Sequence, residues 1–210
     1  PTFVAVAVLL LAGTAAAELE GGDGDPGASD QPQPLPIDPV VRAVIEASPC
    51  GAEPPQSPFD WEAALAEVST AAIVLSIEDG SIGRAHLSNA LRGLAEVGSA
   101  SEFQYLFDNA DSIAWSFVDD AVDVDASEQD VLAVHDQIHA SFRSELLWVW
   151  SDRGDVPTTL LIDTFWDPSV RVRQRAVFIA LGSEDADLVA EASSACELDD
   201  EIAEGVSLCP

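Results

Sequence analysis

The sequence predicts an all-α fold, a short α-solenoid of about four stacked helix pairs. Apolar residues recur at helical spacing from about residue 58 onward. Period-two alternation over four or more residues is almost absent, so little or no sheet is expected. The pairs are also evenly spaced, about 28 residues apart, which is typical of a solenoid. Their first helices are expected to begin near Arg84, Ser112, Ser141 and Pro168.

Each predicted helix is marked by an apolar stripe. In chain order, the first stripes are Trp61, Leu65, Val68, Ala72 and Leu75; Leu87, Ala90, Leu91, Leu94 and Val97; Phe103, Leu106 and Phe107; Ile113, Phe117, Ala121 and Val124; and Val131, His135, Ile138 and Phe142. Later stripes are Leu146, Val149 and Trp150; Leu160, Leu161 and Phe165; and Leu188, Val189 and Ala192. Asp79-Gly80, Gly98 and Asp152-Arg153-Gly154 are predicted to end helices. These elements form a predicted repeat domain at residues 58–197, followed by a C-terminal tail at 198–210.

Residues 1–17 have the composition of an export signal. An apolar run, FVAVAVLLLA, precedes the small-residue cleavage site Ala15-Ala16-Ala17. The run is shorter than the roughly 20 apolar residues that cross a membrane. We therefore expect cleavage, export to the periplasm or the cell exterior, and no remaining membrane span. Residues 18–57 are rich in Gly, Pro and acidic residues and are predicted to be a disordered linker, with a short helix at 38–47.

The charge of the chain is strongly unbalanced. It contains 38 acidic residues, eight Arg and no Lys, for a formal net charge of −30. A surface this negative repels nucleic acid and anionic lipid, so neither is expected as a partner. The hydrophobic content of 48 % is nevertheless sufficient for a packed core. The composition is typical of a high-GC genome or a salty habitat.

Two segments carry a recurring helix-pair motif. Its residues are Asp167-Pro168-Ser169-Val170-Arg171, Ala176 and Ala180-Leu181-Gly182 in the later segment, and Ala90-Leu91-Arg92-Gly93-Leu94-Ala95-Glu96-Val97-Gly98 with Ser101-Glu102-Phe103 in the earlier one. This pattern resembles the HEAT repeat over residues 84–109 and 158–194, and residues 112–151 lack the Ala-Leu-Gly ending. The resemblance implies a binding or scaffolding surface rather than a catalyst.

His135, Asp136 and His139 form a sequence that resembles the His-Glu-x-x-His zinc signature, with Asp in place of Glu. The spacing puts both imidazoles on one helical face, where the acid could activate a zinc-bound water. However, no downstream motif supplies a third ligand, and His135 continues the apolar stripe of its helix. We therefore expect one core histidine and one bordering histidine, with no metal. A zinc-dependent hydrolase is the alternative.

An acidic run between two predicted helices is similar to a calcium-binding loop but departs from its pattern. With Asp123 at the first position, Asp125 and Ser127 fit the third and fifth positions. Glu128 replaces the required Gly, however, and Val134 replaces the required Glu. The run, which also includes Asp119, Asp120 and Asp130, is therefore predicted to be a solvated connection.

Three of the eight cationic residues fall within five consecutive positions: Arg171, Arg173 and Arg175. Arg171 and Arg175 share a helical face. These residues could bind an anion or a carboxylate, since guanidinium groups bind such ligands bidentately. Alternatively, they form a ladder to acidic residues of neighbouring repeats, which we favour because carboxylates surround any Arg in this chain.

Aromatic and cysteine residues suggest further contacts. Trp148, Trp150 and Trp166 could form a recognition surface, although packing between repeats is the commoner use of Trp. Cys196 and Cys209 are close enough in sequence for a disulfide, which would leave Cys50 unpaired.

The sequence therefore predicts an exported, non-catalytic scaffold that binds an unidentified protein or peptide. No nucleotide-binding loop or nucleophile elbow is found, and no cofactor is expected. Besides the zinc hydrolase, a purely structural envelope-associated protein is the remaining alternative.

Overall fold

The computed structural model describes residues 69–119, 121–123 and 125–210, and these residues are all-α. Within these ranges no strand is found, as the scarcity of period-two alternation predicts. The predicted signal peptide, the linker with its helix at 38–47, Cys50 and residues 58–68 of the repeat domain lie outside the described residues. So do Asp120 of the acidic run and Val124.

The described helices are, in chain order, α1 (Thr70–Glu78), α2 (Leu87–Val97), α3 (Ala100–Asp108), α4 (Ala110–Ser116), α5 (Glu128–Arg153), α6 (Thr158–Thr164), α7 (Val170–Leu181), α8 (Ala186–Leu198) and α9 (Asp200–Gly205). A 3-10 turn at Arg84–His86 leads into α2. The start predicted near Arg84 and the ends predicted at Asp79-Gly80, Gly98 and Gly154 are therefore confirmed.

Helix α5 runs without interruption for 26 residues, so the helix start predicted near Ser141 is wrong. Neither Gly nor Pro occurs between Glu128 and Arg153, and nothing in the sequence of this segment breaks the helix. At its N-terminus, the Ser127 hydroxyl accepts a hydrogen bond from the amide of Asp130, and the Asp130 carboxylate in turn accepts one from the amide of Ser127. At its C-terminus, Gly154 adopts a left-handed φ of 77°, which glycine reaches without a steric penalty.

The helices pack mainly against their neighbours in the chain, and α5 is the element they share. Helices α2, α3 and α4, which precede α5, contact it, and so does α7, which follows. Helix α7 in turn contacts α6, α8 and α9. Arg153, at the end of α5, donates hydrogen bonds to the carbonyls of Ala95 (2.6 Å) and Gly98 (3.0 Å), which attaches α5 to the end of α2. The described helices thus share one continuous hydrophobic core.

Three details of the predicted helices require correction. The stripe of Ile113 and Phe117 does not mark one long helix, because α4 ends at Ser116 and Phe117 lies buried in the following turn. Leu75 is 58 % exposed, since α1 buries Ile73 and Ile77 instead. Residues 198–210, predicted to be a tail, contain α9, which contacts α7 and α8.

Candidate binding cleft

The three clustered arginines lie on α7 but have different partners. Arg173 is largely buried, and its Nη2 atom donates a 2.6 Å hydrogen bond to Glu201 Oε2. Its Nε atom lies 2.9 Å from Asp199 Oδ2, an ion pair without hydrogen-bond alignment. Arg173 therefore forms the predicted ladder to acidic residues of a neighbouring element. It fastens α7 to the α8–α9 junction and is not available to a ligand.

Arg171 and Arg175 instead face serines on α5. Arg171 donates a 2.8 Å hydrogen bond to the Ser141 hydroxyl, and Arg175 Nε lies 3.4 Å from the Ser144 hydroxyl. In the described part of the chain, neither guanidinium forms an ion pair with a carboxylate. The predicted ladder is therefore wrong for these two residues. Arg84 and Arg92 also form no ion pair among the described residues, so what distinguishes Arg171 and Arg175 is that they lie together on one face of α7.

The electrostatic environment of Arg175 reflects this arrangement. Its guanidinium carbon lies 4.6 Å from the ring centroid of Trp148, a cation–π contact that fixes the plane of the group. Burial lowers the pKa of Arg175, Glu145 partly opposes this effect, and the positive charge of Arg171 lowers the pKa further. The two cations therefore repel each other in a partly desolvated position, which an incoming anion would relieve.

These residues line a cleft of about 200 Å³ between α5, α7 and the end of α9. Its walls include Ser144, Arg171, Gln174, Arg175, Phe178 and Val206. A second cleft of about 210 Å³ shares Arg171 and is lined by Arg84, Ser141, Phe142 and Glu145, among others. Both clefts combine hydroxyl and guanidinium donors with apolar walls, which is the chemistry of a small anion-binding site.

Sequence reasoning missed Ser141, Ser144 and Phe178 as members of these two clefts. The two serines are three residues apart on α5 and share a face, and Phe178 lies one turn after Arg175 on α7. The available signal in the sequence was the pair of serines beside the apolar stripe of α5. It could be read only after α5 was known to be continuous and to lie against α7.

The predicted zinc motif forms a stack of aromatic rings. His135 is 5 % exposed, and its ring centroid lies 4.1 Å from that of Trp115 and 5.9 Å from that of His139. Its Nε2 atom lies 3.2 Å from the carbonyl oxygen of Asp111, and its Nδ1 atom lies 3.4 Å from Asp136 Oδ1. The structure thus brings His135, Asp136 and His139 together. The ring of His135 is buried and that of His139 is half-buried, as the apolar stripe predicts.

Within the described ranges, no group of three His, Cys, Asp or Glu side chains is arranged to hold a metal ion. Both ring nitrogens of His135 already face protein oxygens. Burial, above all, together with the nearby charges of Arg143 and His135, lowers the pKa of His139, although Asp111 and Asp167 act in the opposite direction. The cluster therefore packs against Trp115, and its surroundings disfavour protonation of His139.

The three tryptophans do not form one surface. Trp150 is fully buried against Phe103, with ring centroids 5.6 Å apart, and its indole nitrogen donates to Asp155. Trp148 lies under Arg175 beside the cleft, and Trp166 is 62 % exposed. Of the three, only Trp148 contributes to the candidate site.

Outside the cleft, two further predicted features have a place in the structure. Cys196 and Cys209 form a disulfide with a Cα–Cα distance of 5.7 Å, which fastens the C-terminal residues to α8. In the acidic run, Glu128 and Asp130 belong to the first turn of α5, whereas Asp119, Asp123 and Asp125 are exposed between α4 and α5. These positions form a solvated connection, as expected.

Among the described helices, none combines the length and apolar character needed to cross a membrane. Comparison with protein-family models, with characterised proteins and with solved structures gives no match to this chain.

Proposed function

We propose that the protein is an exported, non-catalytic scaffold that binds a protein or peptide through the α5–α7 cleft. The observation that carries this proposal is the pair Arg171 and Arg175, which lacks a described carboxylate partner in a chain of net charge −30. Arg173 on the same helix pairs with Glu201 instead, whereas Arg84 and Arg92, which also form no ion pair among the described residues, lie on different elements. A binding role accounts for two cations that stay unpaired beside an apolar wall.

The finer architecture proposed is a short HEAT-like α-solenoid. It is supported by the sequential pattern of helix contacts, in which the helices before α5 and α7 after it both pack on α5. In a solenoid each unit covers the apolar face of the next. The 26-residue α5 departs from a regular helix pair, and in this proposal it joins the earlier and later units.

Export is proposed from the apolar run and small-residue site of residues 1–17. The disulfide between Cys196 and Cys209 supports it, because such bonds persist in oxidising compartments and are rare in the cytosol. The net charge of −30 keeps an exported protein soluble and disfavours adhesion to anionic lipid.

The binding proposal is tested by selection of peptides from a displayed library on the immobilised protein with its disulfide formed. Enriched peptides are then synthesised and titrated by calorimetry, in EDTA and in added zinc. We expect saturable one-to-one binding that is the same in both buffers and leaves the peptide intact. Failure to enrich any peptide above the bare support would overturn the proposal. Cleavage that requires zinc would overturn it in favour of the hydrolase.

A further inference from the structure

We infer that Arg171 and Arg175 bind a carboxylate that stands next to an apolar side chain. This inference rests on the proposed function, because it names the chemical group by which a peptide would occupy the α5–α7 cleft. A pair of arginines can also bind phosphate, and the inference is that this pair binds a carboxylate in preference to phosphate.

The two guanidinium groups are held in place and still have free donors. Arg175 is stacked on Trp148 and uses Nε toward Ser144, while Arg171 uses Nη1 toward Ser141. In the described part of the chain, the Nη atoms of Arg175 have no hydrogen-bond partner. A guanidinium whose plane is fixed by stacking loses little entropy when it binds a planar, bidentate acceptor. A carboxylate is such an acceptor.

The charge of the protein favours a single negative charge over two. The chain carries a net charge of −30, so its long-range field repels an approaching anion in proportion to the anion's charge. Glu145 also lies near Arg175 and would repel a second negative charge at close range. A phosphate near neutral pH carries close to two charges, whereas a carboxylate carries one.

The apolar wall and the size of the cleft define what accompanies the carboxylate. Phe178 is 36 % exposed beside the arginines, and Val206 closes the other wall. A volume of about 200 Å³ is smaller than the roughly 300–1,000 Å³ of pockets that enclose a drug-sized ligand. The cleft therefore fits about one residue of a peptide, either a chain end with an apolar side chain or an acidic side chain beside one.

The test is an NMR titration of the ¹⁵N-labelled protein with small probes. N-acetyl-leucine presents a terminal carboxylate, N-acetyl-leucinamide is its neutral counterpart, and the α-amide of N-acetylglutamic acid presents a side-chain carboxylate. We expect N-acetyl-leucine to shift the Trp148 indole and Ser144 amide resonances with a dissociation constant on the order of 1 mM, and the neutral amide to do so at least about tenfold more weakly. A response to the glutamic acid probe also supports the inference, and the tighter of the two acids identifies the source of the carboxylate.

Two variants and one charge-matched control separate recognition from general electrostatics. Arg175→Gln should weaken the binding of N-acetyl-leucine by about tenfold and abolish discrimination against the amide. Arg171→Gln, at an exposed position that leaves the fold intact, should weaken it by a smaller factor. Arg92→Gln removes the same charge from an exposed site on α2 and should leave the affinity within about twofold.

Three results would overturn the inference: equal binding of acid and amide, tighter binding of inorganic phosphate than of N-acetyl-leucine, or an equal loss in Arg175→Gln and Arg92→Gln. Any of them would leave the proposed function standing if selected peptides still bind in the α5–α7 cleft through other contacts. Conversely, a library that yields no peptide contradicts the proposed function, whatever the small probes show.

Discussion

Arg143 on α5 donates a hydrogen bond to the carboxylate of Asp167, just before α7, and its guanidinium carbon lies 4.4 Å from the ring centroid of Phe107 on α3. Asp167 is 7 % exposed, and its other oxygen accepts a 2.9 Å hydrogen bond from the amide of Ser169. This one pair therefore joins α5, the start of α7 and α3. It also gives a structural role to the Asp-Pro pair that sequence analysis identified as a helix start.

Replacement of Arg143 by Gln is expected to destabilise the protein strongly, because it leaves the buried Asp167 carboxylate without its cation. The loss of unfolding free energy should be about 3 kcal/mol or more, measured by urea denaturation. Asp167→Asn in the Arg143→Gln background should recover part of that loss. The charge-matched control Arg92→Gln should cost less than about 0.5 kcal/mol. Equal losses in Arg143→Gln and Arg92→Gln would show that the pair contributes nothing particular to stability.

His139 is expected to destabilise the folded protein in acid. Burial, above all, lowers the pKa of His139 below its ordinary value of 6.5 in the folded state. The unfolded chain therefore binds the proton more readily, and stability falls as the pH drops below about 6.5. His139→Gln should remove this contribution. Between about pH 7 and about pH 5, the unfolding free energy of the variant should therefore fall less than that of the unsubstituted protein. Imidazole resonances give the pKa directly, and a value at or above 6.5 would contradict the account.

Loss of the disulfide between Cys196 and Cys209 is expected to lower stability by about 3 kcal/mol, as for a loop of this length. The comparison is best made in a Cys50→Ser background, which retains the pair and removes the third thiol. Urea denaturation of Cys50→Ser with and without reductant gives the effect. The triple variant that also carries Cys196→Ser and Cys209→Ser should show no response to reductant. A reductant response that persists in the triple variant would assign the effect to something other than this bond.

Two glycines that end helices provide a matched test of backbone conformation. Gly154 has a φ of +77° with no neighbour near an added Cβ, whereas Gly182 has a φ of −84° and only ordinary contacts at 3.6 Å. Gly154→Ala should therefore cost about 1 kcal/mol through backbone strain alone. Gly182→Ala should be neutral or slightly stabilising. Thermal denaturation of both variants measures the difference, and equal effects would contradict it.

Much of the helical pattern follows from the sequence because local signals are strong. Gly98 and Gly154 end helices where expected, and the stripe of Leu91 and Leu94 is fully buried. The helix start near Ser141 was predicted from the regular spacing of the repeats, against a segment that contains no breaker. In that segment continuous local propensity prevailed over the expected period.

The candidate site could be predicted only in part. The clustering of Arg171, Arg173 and Arg175 is visible in the sequence, and the sequence also suggests that carboxylates surround them. Whether a given arginine meets a carboxylate depends on which helix packs against it. Arg173 faces the acidic α8–α9 junction, whereas Arg175 faces Ser144 and Trp148 on α5. That division is set by tertiary packing and has no local signal.

The central claim is that a peptide is held, and not cleaved, in the cleft between α5 and α7. Hydrogen–deuterium exchange of the intact protein with and without a selected peptide tests it most directly. The account predicts slower exchange confined to residues 141–148, 171–178 and 205–206, with the peptide recovered whole by mass spectrometry. Protection located elsewhere in the chain, or recovery of the peptide in fragments, would contradict it.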